Sequence, residues 1–402
     1  MTQPPLLSIV VPTRNRAIYA VPSITRLLRI DSTRLEVVVA DNSEDDDTAI
    51  GLGASLQEPR LRYERIAGRN TLSENFEHGC RMARGEFIAC IGDDDGVHPV
   101  LLEVAAWAEH HDLDAVAGPV LADYGWPDFV RRYYGADSAA VLRVRPFSGA
   151  LSFPDVDREF AKVLEAGGQD FAGIPRIYYG LIRRRCFEAV RQAHGACFPG
   201  VSPDMAGAVA LASAVQRLAW IDFPLFLPGS SRKSGSGQSA RKQHVGRMED
   251  QKHMGGERLA NWPDRVPRFY AVQTVWAASL FTALEATGRQ HLAAGFNDAK
   301  LHAMCAVFNP SYAGETLRHL RGLRAAGIGR SSLQAFAAYY AHIWAMRVRS
   351  LTGRAWAAAA ASSRDRFHKG LSDIGAAVDC LERELAAETT ALRRRLNAGP
   401  EQ

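Results

Sequence analysis

The sequence predicts an α/β fold, with a mainly parallel sheet flanked by helices, followed by an all-α C-terminal region. Two patterns lead to this prediction. Between Leu6 and about Ala117, short apolar runs alternate with segments of helical length, as in a parallel sheet buried on both faces. Beyond about Glu257 the strand-like runs stop, and helical periodicity continues to Leu396. We therefore expect one domain over 1–245 and a helical region over 246–402.

The elements of the first domain follow one another in a regular order. The predicted strands are LLSIVV (6–11), LEVVVA (35–40), LRYERI (61–66), EFIACI (86–91) and DAVAG (114–118). The predicted helices between them cover 19–29, 47–56, 72–83 and 99–109. The second half of the domain is more mixed, with strands expected in IYYGLIRR (177–184) and AWIDFPLFL (219–227) and a helix over 202–216.

Polar and charged residues follow the predicted strands. They are TRNR (13–16), DNSEDDD (41–47), GRN (68–70) and GDDDG (92–96). Ligands of open parallel sheets bind beyond the carboxyl ends of the strands. We therefore expect the functional site at this edge.

Composition excludes several classes of protein. With 47% hydrophobic and 23% charged residues, the chain is neither disordered nor fibrous, and a net charge of +4 is too small to indicate nucleic-acid binding. The six cysteines form no CxxC pair, so we expect reduced core residues and a cytosolic protein. No apolar run suits a signal peptide or a transmembrane helix. The expected location is the cytoplasm, with the inner face of the membrane as the alternative.

The C-terminal region has two distinctive segments. Residues 311–370 carry nine arginines and Lys369 against only Glu315 and Asp365. This excess indicates a solvated helical surface or a peripheral contact with an anionic membrane or substrate. In 365–396, apolar residues recur at heptad spacing: Phe367, Leu371, Ile374, Val378, Leu381, Leu385 and Leu392. This pattern predicts a coiled coil and a homodimer, or else packing on the body of the protein.

The segment GSSRKSGSGQSARKQHVG (229–246) is rich in Gly and Ser and carries four cations. Its composition is typical of a flexible segment. It is either a linker or a mobile lid whose cations meet an anionic ligand.

Four motifs together resemble family 2 glycosyltransferases of the GT-A fold. They are SIVVPTRNR (8–16), VVVADNS (37–43), NTLSENFEHGCRMARGEFIACIGDDDG (70–96) and SPDM (202–205). The resemblance covers about 6–245. It implies the GT-A-like nucleotide-diphospho-sugar transferase fold, with a mixed, mainly parallel sheet. It also implies metal-dependent, inverting transfer of one sugar from a UDP- or dTDP-linked donor to the hydroxyl of a saccharide or glycolipid acceptor. Cell-surface polysaccharide or glycolipid synthesis is the implied setting.

Processive members of the family carry QxxRW, and the nearest string here is QRLAW (216–220), with Ala219 in place of Arg. We therefore expect non-processive transfer.

The aspartate run after EFIACI suits a metal site. A departing nucleotide diphosphate develops negative charge, which a divalent cation stabilises, and Mg²⁺ and Mn²⁺ prefer oxygen ligands. Alternation along an extended segment predicts that Asp93 and Asp95 share one side and that Asp94 points away. By resemblance, Asp95 is a metal ligand and Asp93 contacts the ribose or the metal; Asp94 is kept as a donor-site residue. His244 is a candidate further ligand, with a surface histidine as the alternative.

The resemblance assigns other residues to the nucleotide. Thr13, Arg14 and Asn15 resemble the nucleotide-contacting loop, and Asp41 resembles the carboxylate that accepts a hydrogen bond from a pyrimidine imide. Two further candidates are Arg69, which is otherwise a surface cation, and Asn75, which is otherwise a helix-surface amide.

Inverting transfer needs a base beside the acceptor hydroxyl. By resemblance the candidate is Asp204, although Pro203 stands where the family often has Glu. An acidic residue in the first turn of a helix is also expected from the helix dipole alone.

Two other functions compete with sugar transfer. A sugar nucleotidyltransferase would also use aspartates and a metal, but PTRNR lacks the glycines of its usual phosphate loop. A non-catalytic interaction protein on a degenerate transferase fold is the other alternative, and the intact Asp93, Asp95 and Asp204 argue against it.

Overall fold

A computed structural model describes residues 4–68, 70–129, 138–234, 245–251, 261–360 and 364–398, with the backbone alone for 350–360. The strands are β1 (Leu7–Thr13), β2 (Leu35–Asp41), β3 (Leu61–Arg65), β4 (Phe87–Cys90), β5 (Gly96–Val97), β6 (Ala115–Ala117), β7 (Ala122–Gly125), β8 (Val141–Val144), β9 (Leu151–Ser152), β10 (Leu181–Arg183), β11 (Leu218–Ile221), β12 (Phe226–Leu227), β13 (Gly229–Ser230) and β14 (Arg366–Lys369).

The α-helices are α1 (Ala17–Leu28), α2 (Asp47–Leu52), α3 (Leu72–Met82), α4 (Leu101–His110), α5 (Val156–Glu165), α6 (Arg184–His194), α7 (Pro203–Leu211), α8 (Val272–Ala286), α9 (Asp298–Phe308), α10 (Ala313–Ala325), α11 (Leu333–Ala360), α12 (Ile374–Glu384) and α13 (Ala386–Ala398). Short 3-10 helices cover Gly53–Gln57, Met248–Asp250, Gln290–Gly295 and Pro310–Tyr312.

The main sheet has eight strands in the order β3-β2-β1-β4-β10-β6-β11-β9. Strands β3, β2, β1 and β4 are parallel, and β11 is parallel to β6. Strand β10 is antiparallel to both of its neighbours, and β9 is antiparallel to β11. The sheet is therefore mixed and mainly parallel, which confirms the predicted fold class.

Both faces of the sheet are buried, as continuous apolar strands require. On one face Val10 and Val38 pack in a core with residues of α3 and α5 to α8. On the other face Ile9 and Val37 pack in a second core with α1, α4, α12 and α13. Alternate residues of each strand thus enter different cores.

The predicted elements of the first domain agree with the structure, apart from shifts at their ends. The expected helix over 202–216 ends at Leu211. The expected strand 177–184 is reduced to Leu181–Arg183, and 219–227 divides into β11 and β12. The helix expected over 47–56 ends at Leu52 and continues as a 3-10 turn.

The predicted helical C-terminal region is also confirmed, since helices dominate the described residues after Trp262, with strand β14 as the departure from an all-α region. Helix α8 packs against α7 of the first domain, whereas α10 and α11 both pack against α9. No helix among the described residues has the length and apolar character needed to cross a bilayer. All six cysteines are buried and free.

The heptad segment 365–396 differs from the expected coiled coil. It forms a strand and two helices, and β14 pairs with β8 in a four-stranded sheet of order β13-β7-β8-β14. Gly370 has a φ of 76°, a left-handed conformation that suits glycine and ends the strand. Asp373 then caps α12, its side chain accepting the Ala376 N–H at 2.8 Å.

The apolar residues of this segment are mostly used inside the chain. Ile374, Val378, Leu381 and Leu385 are fully buried in the core that α1 and α4 also line. Of the stripe that favoured a homodimer, Phe367 is 51% exposed and Leu371 is partly buried, so most of the stripe packs inside the chain, as the other interpretation expected. Salt bridges of 2.8 Å and 2.9 Å from Arg26 to α12 fix the same contact.

The last two helices, α12 and α13, thus share a core with α1 and α4 of the first domain.

Candidate active site

The site lies at the carboxyl ends of β1, β2 and β4. Thr13 and Asp41 are register partners at the ends of β1 and β2, and the acidic loop follows β4. The Thr13 hydroxyl donates to Asp93 Oδ2 at 2.7 Å. Parallel strands ending at one edge thus bring together residues 80 positions apart.

Asp93 and Asp94 converge on a single cation, the guanidinium of Arg16. Arg16 Nε lies 3.0 Å from Asp93 Oδ1, and Arg16 Nη2 lies 2.9 Å from Asp94 Oδ2. Ser231 completes the cluster by donating its hydroxyl to Asp94 Oδ2 at 2.6 Å. The three charged side chains are at most 17% exposed, so solvent screens their interaction only weakly.

Asp95 points elsewhere and has a full set of donors. Its Oδ2 accepts from Gly92 N at 2.6 Å, Tyr179 OH at 2.7 Å and Tyr178 OH at 3.3 Å, and its Oδ1 accepts from Gly229 N at 2.6 Å. Such bonds fix the loop to β13 and to the tyrosine pair. The expected pairing of Asp93 with Asp95 is therefore not the one observed.

The reason lies in the local backbone. Asp95 N donates to Gly92 O at 3.2 Å, so residues 92–95 form a turn and the alternation of an extended strand does not apply.

Burial disfavours the charged form of the carboxyl groups in this cluster. It raises the pKa of Asp93 and of Asp95 to about 7, although Arg16 acts to lower that of Asp93. Asp94 adds to the rise in both cases. Three buried carboxyl groups thus lie close together with a single arginine, which pairs with two of them. A further cation beside these carboxyl groups would be favoured.

The residues fit a divalent cation by donor type and by charge. Asp93 and Asp94 supply oxygen ligands that both lie beside Arg16, whereas Asp95 Oδ2 alone accepts from three protein donors. In the part of the chain that the structure describes, no group of three His, Cys, Asp or Glu side chains is arranged to hold a metal. His244 lies outside the described residues.

The candidate nucleotide residues line neighbouring loops. Asp41 is buried; its Oδ1 accepts the Ser43 N–H at 2.9 Å and its Oδ2 accepts the Tyr63 hydroxyl at 2.7 Å. That carboxylate, together with burial, raises the pKa of Tyr63. Each oxygen of a carboxylate has two lone pairs, so Asp41 retains acceptor capacity.

The loop after β1 is tied to the loop after β2. Asn15 adopts a φ of 53°, its N–H donates to Ser43 Oγ at 2.8 Å, and its Oδ1 accepts the Glu44 N–H at 2.8 Å. Arg14 forms a 3.0 Å salt bridge to Glu44, of which both partners are partly exposed. These residues therefore form one wall of the site.

Asn75 is buried, which differs from the alternative of a helix-surface amide. Its Nδ2 donates to the carbonyls of Thr13 at 3.3 Å and Ala40 at 3.1 Å. Asn75 thus supports the ends of β1 and β2 from α3. Arg69 lies outside the described residues.

Asp204 lies at the start of α7, as predicted. It accepts hydrogen bonds from the Ser202 hydroxyl and, at 2.9 Å, from Met205 N. Burial raises the pKa of its carboxyl group. Its negative charge, with those of Asp94 and Asp95, also helps to raise the pKa of Tyr178, which relates it electrostatically to the acidic loop.

A cleft of about 540 Å³ lies between α3, α8 and the segment before α7. Its lining includes Asn70, Glu77, Val201, Trp262 and Ser279. Two of these residues connect it to the site: Asn70 O accepts from Arg14 at 3.5 Å, and Ser279 Oγ accepts the Ser202 N–H at 2.9 Å.

Sequence reasoning missed Arg16, Ser231 and the tyrosine pair. Arg16 belongs to the TRNR string, and its position directly after Asn15 is the feature that could have marked it as a site residue. Tyr178 and Tyr179 were assigned to a strand, and the two polar groups next to an apolar run were the signal there. Ser231 lies within the Gly- and Ser-rich segment, whose residues 235–244 the structure does not describe.

Comparison with known proteins places most of this site in one family. Residues 8–173 match the model of Glycosyl transferase family 2. A 94-residue segment is 32% identical to the GalNAc(5)-diNAcBac-PP-undecaprenol beta-1,3-glucosyltransferase of Campylobacter jejuni, covering 23% of this chain and 30% of that protein. A 115-residue segment is 25% identical to Glycosyltransferase GlyG of Streptococcus pneumoniae, covering 28% of this chain and 38% of that protein. The matches thus span less than two fifths of these curated relatives.

Solved structures give weaker likenesses. S. aureus TarS 1-349 in complex with UDP-GlcNAc is 14% identical, with a TM-score of 0.46 over 80% of this chain and 92% of that chain. Mannosyltransferase PcManGT from Pyrobaculum calidifontis, in complex with GDP-Man and Mn²⁺, is 17% identical, with a TM-score of 0.42 over 96% of this chain and 88% of that chain. Residues 8–173, which include Thr13, Asp41 and the acidic loop, are therefore similar to family 2 glycosyltransferases.

Proposed function

We propose that this protein transfers a single sugar, with inversion, from a UDP- or dTDP-linked donor to the hydroxyl of a saccharide or glycolipid acceptor. The observation that carries the proposal is the cluster of Thr13, Asp41, Asp93 and Asp94 at adjacent strand ends, within the residues that match the family. Cell-surface polysaccharide or glycolipid synthesis is the proposed setting. The match to glycosyltransferases favours this reaction over nucleotidyl transfer.

The loop wall and Asp41 would hold the nucleoside. A pyrimidine imide donates one N–H, and Asp41 has acceptor capacity for it at the end of β2. Its hydrogen bonds from Ser43 and Tyr63 keep the carboxylate in one orientation. A fixed acceptor favours a base that offers a donor in the same place, which is the basis of the proposed choice of UDP or dTDP.

Asp93 and Asp94 would hold the Mn²⁺ or Mg²⁺ ion, and such an ion stabilises the negative charge that develops on a leaving diphosphate. Arg16 holds the two carboxylates in a shared orientation and adds a positive charge beside the same place. Asp95 would act through the loop, which it binds to β13, and not as a ligand.

Asp204 would accept the proton of the acceptor hydroxyl. The acceptor oxygen then bonds to the anomeric carbon while the bond from that carbon to the diphosphate breaks on the opposite face, which inverts the configuration. A raised pKa suits this role because a stronger base gains more from the proton transfer. We place part of the acceptor in the cleft beside the start of α7.

Nucleotide binding with and without metal tests the proposal. Thermal unfolding would be measured with UDP, dTDP and GDP, each with Mn²⁺ or with EDTA. We expect UDP or dTDP to raise the unfolding temperature only with the metal, because the proposed ion joins the diphosphate to the carboxylates. A ligand that binds only the native state adds about 2.7 kcal/mol to the free energy of unfolding at a hundredfold excess over Kd.

A matched pair of variants assigns the effect to the site. Asp94→Asn should remove the metal-dependent stabilisation, whereas Asp45→Asn, an exposed carboxylate in the other acidic run, should retain it. Equal stabilisation with metal and with EDTA would overturn the metal assignment. Stabilisation by none of the three nucleotides would overturn the proposed function itself.

A further inference from the structure

The last described side chains of helix α11 are exposed. Among the described side chains of this helix, Ile343 is the last that packs in a core, with Ala303 and Val307 of α9. The six side chains from Trp344 to Arg349 are all exposed. These six side chains therefore need an explanation outside the cores that the structure describes.

The exposed side chains are unusually apolar for a protein surface. Trp344 is 38% exposed, Met346 57% and Val348 50%, and Phe308, at the end of α9, is 44% exposed. Arg347 joins them, with its guanidinium carbon 5.6 Å from the ring centre of Trp344 and 5.3 Å from that of Phe308. Trp344, Arg347 and Val348 lie on one side of α11, because residues three and four positions apart are neighbours on a helix, whereas Met346, two positions from Trp344, points to another side. We call Phe308, Trp344, Arg347 and Val348 the α11 patch. Large apolar side chains interleaved with arginine are typical of surfaces that lie in a membrane interface.

The charge around the patch has one sign. Between Glu315 and Asp365 the sequence has no acidic residue and eight arginines. Arg318, Arg321 and Arg324 are exposed on α10, which packs on the same helix α9 as α11 does. Without carboxylates among them, these cations repel one another and attract an anionic surface.

We propose that the α11 patch and the arginines of α10 bind the surface of an anionic lipid bilayer, with Trp344 and Val348 entering the headgroup region. A lipid surface satisfies both features at once, since the apolar side chains are buried in it and its charge complements the arginines. The inference does not rest on the proposed transfer reaction. No crossing of the bilayer is involved.

Vesicle flotation of the full chain tests this proposal. Vesicles of phosphatidylcholine mixed with phosphatidylglycerol are compared with vesicles of phosphatidylcholine alone, at low and at high salt. We expect about tenfold stronger binding to the anionic vesicles, weakened by salt because the attraction is screened. A blue shift of tryptophan emission on binding, absent in Trp344→Phe, would place Trp344 in the interface.

Variants then assign the surface. The double change Trp344→Ser and Val348→Ser should reduce binding about tenfold or more, because the apolar contribution is lost. Ile50→Ser, which removes a more exposed apolar side chain on α2, should not reduce it. Circular dichroism and the unfolding temperature check that each variant is folded. The side chains changed in the double variant lie outside the cores, so we expect it to fold.

Three outcomes would overturn the proposal. They are binding by the double variant equal to that of the wild type, equal binding to neutral and anionic vesicles, and a concentration-dependent dimer in light scattering that the double variant abolishes without any lipid binding by the wild type. The last outcome would assign the patch to a second copy of the chain.

Discussion

Arg16 Nε lies 3.0 Å from Asp93 Oδ1, so the chain itself supplies a positive charge beside the acidic loop. The same guanidinium reaches Asp94 through Nη2. An arginine between two buried carboxylates reduces their mutual repulsion and fixes their orientation before any ligand arrives. Pre-organised ligands bind with a smaller loss of conformational entropy.

Arg16→Ala should therefore destabilise the protein when EDTA is present. Removing one partner of a buried pair leaves the other charges uncompensated, and the expected loss is about 3 kcal/mol in the free energy of unfolding. Mn²⁺ should restore part of this loss, because a divalent cation can compensate the same carboxylates. Urea denaturation with and without Mn²⁺ measures both effects.

The neighbouring Arg14 supplies the control. Its salt bridge to Glu44 is partly exposed, so Arg14→Ala should cost about 0.5 kcal/mol and should not respond to Mn²⁺. If the two variants lose the same stability, the buried cluster does not have the electrostatic role argued for it.

A second relationship links the acidic loop to the end of the chain. Gly96 follows Asp95, and a Cβ at this position would lie 2.5 Å from Val378 Cγ2 of α12. Gly96→Ala should therefore cost about 1–3 kcal/mol by overpacking and should also shift the loop that carries the aspartates. Urea denaturation measures the first effect and nucleotide affinity the second.

Gly322 in α10 provides a matched glycine. A Cβ there meets no atom within 4 Å, so Gly322→Ala should stabilise the helix by about 0.5–1 kcal/mol. Equal effects of the two alanines would show that α12 does not pack tightly against the loop.

The sequence predicted the sheet well because its signals are local. Each apolar run between Leu6 and Ala117 gives a strand at the expected place, and the polar residues after β1, β2 and β4 meet at one edge. The direction of side chains within the acidic loop was not predictable in this way. That direction depends on the turn closed by Asp95 N and Gly92 O, and on Arg16, Tyr178 and Tyr179.

Long-range packing was the other part that the sequence did not reveal. The heptads after Arg364 have the same apolar spacing in a coiled coil and in helices that pack on a core. Contacts such as the pairing of Arg26 with Asp379, 353 residues away, and the burial of Val378 distinguish the two arrangements. Spacing along one segment contains no information about such a partner.

His98 should make stability depend on pH. Burial, aided by the charges of Arg393 and Arg26, lowers its pKa from 6.5 to about 4. The unfolded chain therefore binds more protons between these values, so stability is complete above about pH 6.5 and is lost as the pH falls towards 4. The full loss from this residue is about 3 kcal/mol. His302, whose pKa is also lowered to about 4, acts in the same direction.

His98→Gln should reduce the slope of unfolding free energy against pH in this range, as measured by urea denaturation at a series of pH values. The slope is the quantity to compare, because the substitution also changes packing against Phe223. His342→Gln, at an exposed position, should leave the slope unchanged. An unchanged slope in His98→Gln would mean that this histidine does not remain neutral in the folded protein.

The last prediction concerns Asp204 as the proposed base. Asp204→Asn keeps an oxygen that can accept from Ser202 and Met205 but cannot take the proton of the acceptor. Donor binding and stability should persist, while turnover falls by about 10² to 10⁴, or roughly 3 to 5 kcal/mol of barrier. Because burial raises the pKa of Asp204, turnover of the wild type should also decline on the acid side at a higher pH than an ordinary aspartate would give.

Asp222→Asn serves as the control. The Asp222 carboxylate accepts the Ser148 N–H at 2.8 Å and makes this contact outside the acidic loop, so the substitution should leave turnover unchanged. A role at the helix start alone predicts little effect of Asp204→Asn on turnover, because Asn keeps an oxygen that accepts from Ser202 and Met205. Turnover of Asp204→Asn within about threefold of the wild type, at saturating donor, would therefore exclude Asp204 as the base.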